Sequence, residues 1–199
     1  MFKNAFLVYL LLISFAAQTS FAQEELIPSK NRLLLEFGQE WGGDELLTTQ
    51  FTNGDEKTIY AGKGLHLMAG IELSFEKIEN LKFRISTGLK WSLIEAENAS
   101  IHCTRIPLTV SPFLLIKNDF RIGIGATTHL IPKLHGDAFI DNIKFTSKVG
   151  PRLEIGYRWF ALTYTLINYE LDNQNINASS FGVILSNIDK RSWIRGQQF

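Results

Sequence analysis

Most of this chain alternates between apolar residues and small or charged ones, and that period of two limits the fold more than any other feature. Across 64–76, Leu65, Leu67, Ala69, Ile71, Leu73 and Phe75 alternate with Gly64, His66, Met68, Gly70, Glu72, Ser74 and Glu76. Across 82–93, Phe83, Ile85, Thr87, Leu89, Trp91 and Leu93 alternate with Lys82, Arg84, Ser86, Gly88, Lys90 and Ser92. A strand sends successive side chains to opposite faces, so each segment reads as a two-faced strand. Eight such segments are found, near 32–41, 64–76, 82–93, 102–114, 120–131, 146–158, 160–169 and 178–188. Most have about 10 residues or more, long for a globular strand and suited to a tilted membrane-spanning one.

The connections alternate as well. Those after strands 2, 4 and 6 are tight: Lys77–Leu81, Lys117–Asp119 and Arg158-Trp159. Those on the other side include the long segments 42–63 and 132–145. Short periplasmic turns and longer outer loops are the pattern of an outer-membrane barrel. The polar face holds long charged residues beside many glycines, among them Gly38, Gly70, Gly88, Gly125, Gly156 and Gly182. Glycines on a solvated outer face would weaken strands for no gain, whereas inside a narrow barrel they make room for charged neighbours that can pair. Trp41 and Trp91 fall at one end of the strands, and Phe75, Phe120, Tyr157, Trp159 and Phe160 at the other, as two interfacial girdles would. Pro107 interrupts the fourth segment and calls for a local bulge. The expected fold is all-β: an eight-stranded antiparallel up-and-down transmembrane β-barrel with an N-terminal signal peptide.

Residues 1–22 carry that address. Lys3 precedes an apolar run from Ala5 to Ala17, and Ser20-Phe21-Ala22 offers small residues at a cleavage site. The run is too short for a membrane-spanning helix. The expected organisation is signal peptide 1–22, barrel 23–188 and a short periplasmic tail 189–199, in the outer membrane of a Gram-negative bacterium. With 20 basic and 20 acidic residues the chain lacks the basic excess of a nucleic-acid binder. One cysteine excludes an internal disulfide framework and a cysteine-rich zinc module.

The stretch Ile106-Pro107-Leu108-Thr109-Val110-Ser111-Pro112-Phe113-Leu114, a short Asn-Asp turn, and Arg121-Ile122-Gly123-Ile124-Gly125 resembles small outer-membrane barrels of Bacteroidetes-type bacteria, grouped as PorT-like or OmpA/OmpX-like. The resemblance extends over roughly 30–188 and implies an eight-stranded outer-membrane barrel, mostly without an assigned biochemical role. The terminal Phe199 resembles the signal read by the barrel-assembly machinery, although here it ends the eleven-residue tail and not the last strand.

An eight-stranded barrel is just wide enough for its side chains to fill it. Arg32, Glu36, Glu72, Arg84, Lys90, Arg105, Arg121, Arg152 and Glu154 therefore read as an interior charge network, not the lining of a pore. His66, His102, His129 and His135 all fall toward the outer side and are weak metal-ligand candidates, because their spacing specifies no site. Alternation points His66 and His129 inward and His102 outward. Ser100, His102 and Thr128 are the residues nearest to a lipid-acting triad, but no carboxylate orients a base there. No catalytic residue, cofactor or metal is assigned.

Loop 42–63 centres on Asn53-Gly54, which favours a hairpin turn, and a ribbon protruding above the membrane is expected. Its Phe51, Asn53, Gly54, Asp55, Ile59 and Tyr60 are candidate contacts for an extracellular or surface partner, since unpaired strand edges recruit further strands. The expected role is structural or binding, with outer-membrane lipid and the barrel-assembly machinery as general partners and no nucleic acid. The alternative is a soluble lipocalin-like periplasmic binder, with Leu65, Leu67, Leu73, Phe83, Ile85 and Leu89 turned inward around an apolar ligand. A lipid-modifying outer-membrane enzyme is third.

Overall fold

The computed structural model describes residues 28–50, 54, 56–75, 78, 80–96, 99–116, 119–136 and 142–186. The expected signal peptide and C-terminal tail, Phe199 included, lie outside the described residues. Fourteen strands are formed: β1 (Pro28–Trp41), β2 (Glu45–Gln50), β3 (Glu56–Tyr60), β4 (Gly64–Phe75), β5 (Leu81–Ala96), β6 (Ala99–Ile116), β7 (Phe120–Gly136), β8 (Ile143–Lys144), β9 (Thr146–Ser147), β10 (Gly150–Tyr157), β11 (Phe160–Thr165), β12 (Asn168–Leu171), β13 (Gln174–Asn177) and β14 (Ser180–Ser186).

Eight of these close on themselves in the order β1-β4-β5-β6-β7-β10-β11-β14, every pairing antiparallel. The last strand returns to the first through pairs running from Glu36↔Ser186 to Trp41↔Phe181. Closure removes the edges that an open sheet would expose. The wall is taller on one side, where β5, β6 and β7 rise beyond their neighbours as a wing. The β6–β7 ladder shifts register between Thr104 and Ile106, where the extra residue lies on β7 beside Pro132, while Pro107 itself stays paired with His129. At this shift Ile131 adopts a positive φ of 48°.

Alternation sorts the faces. Leu33, Leu35, Phe37, Leu67, Ile71, Leu89, Ile122, Ile124, Leu153, Ile155 and Leu162 all point outward and are exposed, Leu33 at 66% and Ile124 at 63%. Glu36, Glu40, Arg84, Lys90, Arg105, Arg121, Arg152 and Glu154 point inward and are buried. The lipocalin-like alternative is overturned here. Leu67, Ile85 and Leu89, which it placed around a ligand, are exposed on the outer wall, and Leu65, Leu73 and Phe83 share their face.

Two regions differ from expectation. The last long segments are interrupted, so that 146–158 divides into β9 and β10, and 160–169 into β11 and the start of β12. The freed pieces build a three-stranded sheet β13-β12-β9 outside the barrel. Strands β2 and β3 do form a hairpin, paired from Glu45↔Tyr60 to Gln50↔Glu56, but it does not stand clear of the barrel. Gly42 and Gly43, at φ 123° and 86°, turn the chain sharply after β1. The ribbon then lies back, and the Ala61 and Gly62 amides donate to the carbonyls of Asp44 and Gly42.

Candidate functional site

The interior is built in layers. Nearest the tight turns, Arg84 bridges Glu72 at 2.8 Å and Glu154 at 3.5 Å, with Glu36 at 3.8 Å. Arg121 holds Glu154 at 2.6 Å and also donates to the Arg158 carbonyl. The Ser86 hydroxyl donates to Glu36 at 3.1 Å, and the Arg84 guanidinium lies 4.4 Å over the Phe113 ring. A small cavity between Glu36, Arg84, Ser86, Thr109, Ser111, Arg152 and Glu154 has room for about one water molecule. Two glycines make this packing feasible. A Cβ at Gly156 would lie 2.6 Å from the Arg121 guanidinium carbon, and one at Gly38 would overlap the His66 ring.

One layer higher, Glu40 is a hub. It accepts from Lys90, from Arg152 at 3.3 Å and from the Ser180 hydroxyl at 2.9 Å. Lys90 also donates to the Gly62 carbonyl at 2.7 Å. Arg105 donates to the carbonyls of Ala61 and Lys63 and to Ser92. These two interior cations thus grip the segment that leads from the ribbon into β4.

The top layer is apolar. Ile59, Ala61, Ile94, Ile101, Cys103, Leu134, Phe145, Ile167, Tyr169 and Ala178 are buried together, with Leu46, Leu47, Ile143, Leu171 and Ile176 packed against them. The ribbon and the three-stranded sheet therefore cap the barrel with a second core. His129 Nδ1 meets the Tyr169 hydroxyl beneath this cap, and Phe145 stacks on Tyr169 at 5.8 Å. Burial pushes the Tyr169 phenol above its ordinary range.

Sequence reasoning named some of these residues and missed others. Glu36, Glu72, Arg84, Lys90, Arg105, Arg121, Arg152 and Glu154 come together inside, and Arg32 sits opposite Glu72 in the β1–β4 register. Arg158 and Lys148 alternate with the polar face in sequence but are exposed; Arg158 meets Asp119 at 3.4 Å and Lys148 meets Glu170 at 3.1 Å. The cap was missed altogether, since Ile59, Leu134 and Tyr169 look like ordinary loop or strand residues. Among the loop candidates, Ile59 is only 2% exposed and belongs to the cap, so it is unavailable as a surface contact. Tyr60 is half-buried and Gly54 exposed at φ 88°, while Phe51, Asn53 and Asp55 lie outside the described residues.

The histidines separate into two kinds. His66 and His129 are buried in the interior. His102 and His135 stand directly opposite each other on β6 and β7, on the outer face of the wing, with rings stacked at 4.6 Å and planes 13° apart. Rings so nearly parallel do not aim their in-plane lone pairs at one ion. Among the described residues, no three His, Cys, Asp or Glu side chains gather as a metal cage. The His135 imidazole is held below its ordinary range by its partial desolvation, by Lys133 and by His102, against a hydrogen bond with Asn142.

No family model matches this chain. No curated protein matches it either. Among solved structures, it is similar to the attachment invasion locus protein Ail of Yersinia pestis, crystallised with the heparin analogue sucrose octasulfate. The two are 10% identical with a TM-score of 0.44, over 79% of this chain and 97% of that one. Neisserial surface protein A is also similar, at 10% identity and a TM-score of 0.39, over 79% and 99% of the two chains.

Proposed function

We propose that this chain is an outer-membrane barrel with a sealed interior, acting as a structural or binding protein through its extracellular cap. The observation that carries the reading is the outward apolar wall around a paired, charged interior, the inverse of a water-soluble barrel. On β7 that wall runs from Phe120 to Ile131, both exposed. At about 3.3 Å per residue and a tilt of about 40°, the run rises ~28 Å, close to the hydrocarbon thickness of ~30 Å. Aromatic pairs flank it: Trp41 with Phe181 at 5.5 Å on the cap side, and Phe120 with Tyr157 at 5.3 Å on the turn side.

The ion pairs and the cap both argue against a solute path. Binding then falls to what the cap leaves uncovered. On the ribbon these are the exposed Glu45, Thr48, Gln50, Gly54, Glu56 and Lys57. Strands β2 and β3 pair with each other in a two-stranded sheet, whose outer edges suit addition of a partner strand.

The test is cell fractionation followed by gel electrophoresis of unheated and boiled samples. A band in the outer membrane that shifts on heating is expected of a closed, lipid-facing barrel. A soluble periplasmic protein with no shift would overturn the reading.

A further inference from the structure

Above the apolar wall, the outer face of the wing changes character on β6 and β7. On β6 it passes from Leu108 and Ile106 to Thr104 and His102, and on β7 from Leu130 and Ile131 to Lys133 and His135. The inward partners at this height, Cys103 and Leu134, belong to the cap, which fixes the other face as outward. Cross-strand register aligns Trp91, Thr104, Lys133 and Lys144 in one row over β5, β6, β7 and β8. Lys133 and Lys144 stand directly opposite each other. Like charges in that relation repel, and among the described residues neither has an ion-pair partner. The stacked pair His102–His135 borders the same row.

We infer that Lys133 and Lys144, with Thr104 beside them and His102 and His135 at the border, form a binding site for the phosphate group of an outer-leaflet glycolipid. The inference rests on the membrane reading above. The chemistry is complementary: two ammonium groups and a hydroxyl offer donors to one phosphate, and the anion relieves the repulsion between the lysines. Position selects the source of that phosphate. On β6 and β7 the row lies just past the last exposed apolar residues, and on β5 Trp91 and the exposed Leu93 flank it. This is the height where a lipid exposes its headgroup while its acyl chains contact Leu108, Leu130 and Ile131. A soluble anion would gain nothing from those neighbours.

The test uses the barrel in phosphatidylcholine nanodiscs doped with lipid A, either phosphorylated or enzymatically dephosphorylated. Retained lipid is counted by native mass spectrometry after exchange into lipid-free detergent. The wild-type protein is expected to retain phosphorylated lipid A in preference to the dephosphorylated form. The Lys133→Gln/Lys144→Gln variant should lose roughly 30-fold in apparent affinity while keeping its heat-shifted band. Equal retention by the variant, or indifference to the phosphate, would overturn the site. So would displacement by millimolar inorganic phosphate alone, which would mark a site for small anions. Failure of both proteins to enter nanodiscs would instead remove the membrane reading, and the site with it.

Discussion

At the residue scale, the interior depends on side chains that each satisfy several partners. Arg105 shows how much one position carries: its donors meet two backbone carbonyls of the segment 61–63 and a serine on β5. Arg105→Met should leave those carbonyls buried and unmet, costing about 3 kcal/mol locally. The barrel should keep its heat shift, while limited proteolysis cuts within 42–63. At Gly156 any larger side chain must displace Arg121. Gly156→Val should weaken the Arg121–Glu154 pair and lower stability by ~2 kcal/mol, read as a lower urea midpoint in micelles. His135 provides a pH test. Because its folded value lies below 6.5, the neutral His135 imidazole contributes stability above about pH 6.5 and loses it as pH falls through the folded value. In NMR titrations His135 should titrate below an ordinary histidine, and His102→Gln should raise it.

At the element scale, period-two alternation was enough to find all eight barrel strands, because every spanning residue answers to one of two solvents. The bulge expected at Pro107 falls instead on the facing strand, where Ile131 and Pro132 supply the extra residue and Pro107 stays opposite His129. What local spacing did not contain was the partner across the sheet. His102 and His135, and Lys133 and Lys144, meet only through register, and no periodicity within one strand encodes that. The cap was hidden for a related reason. Above the exposed apolar band the inward face turns from charged to apolar, so Cys103 and Leu134 continue the alternation with the opposite chemistry. The ribbon's fold-back depends on backbone carbonyls as acceptors, which side-chain identity does not reveal. Ile59→Asp should place a charge in that cluster and open the cap. Hydrogen exchange should then accelerate in 42–63 and 166–178 while the barrel strands stay protected.

At the scale of the whole molecule, two seals lie in series: the charge-paired layer around Arg84 and Glu154, and the apolar cap around Tyr169. Neither depends on the other's residues. Planar bilayers holding the protein should therefore show no discrete conductance steps, and the Ile59→Asp variant should remain silent although its cap is loose. Conductance in that variant would show that the lower layer does not close the lumen.

Glu40, the hub described above, has a consequence for assembly. It lies on the first strand, yet its partners Arg152 and Ser180 lie 112 and 140 residues further along. Lys90 on β5 answers one carboxylate oxygen early, but the nascent barrel lacks the other two partners until β10 and β14 arrive. A one-residue slip at the closing seam would turn the incoming side chains to the wrong side of the wall. Ser180 would then turn to the outer face and Phe181 would press on the carboxylate in its place. The first strand thus holds a partly satisfied carboxylate as a proofreading mark, and only the correctly docked last strand completes its set of partners.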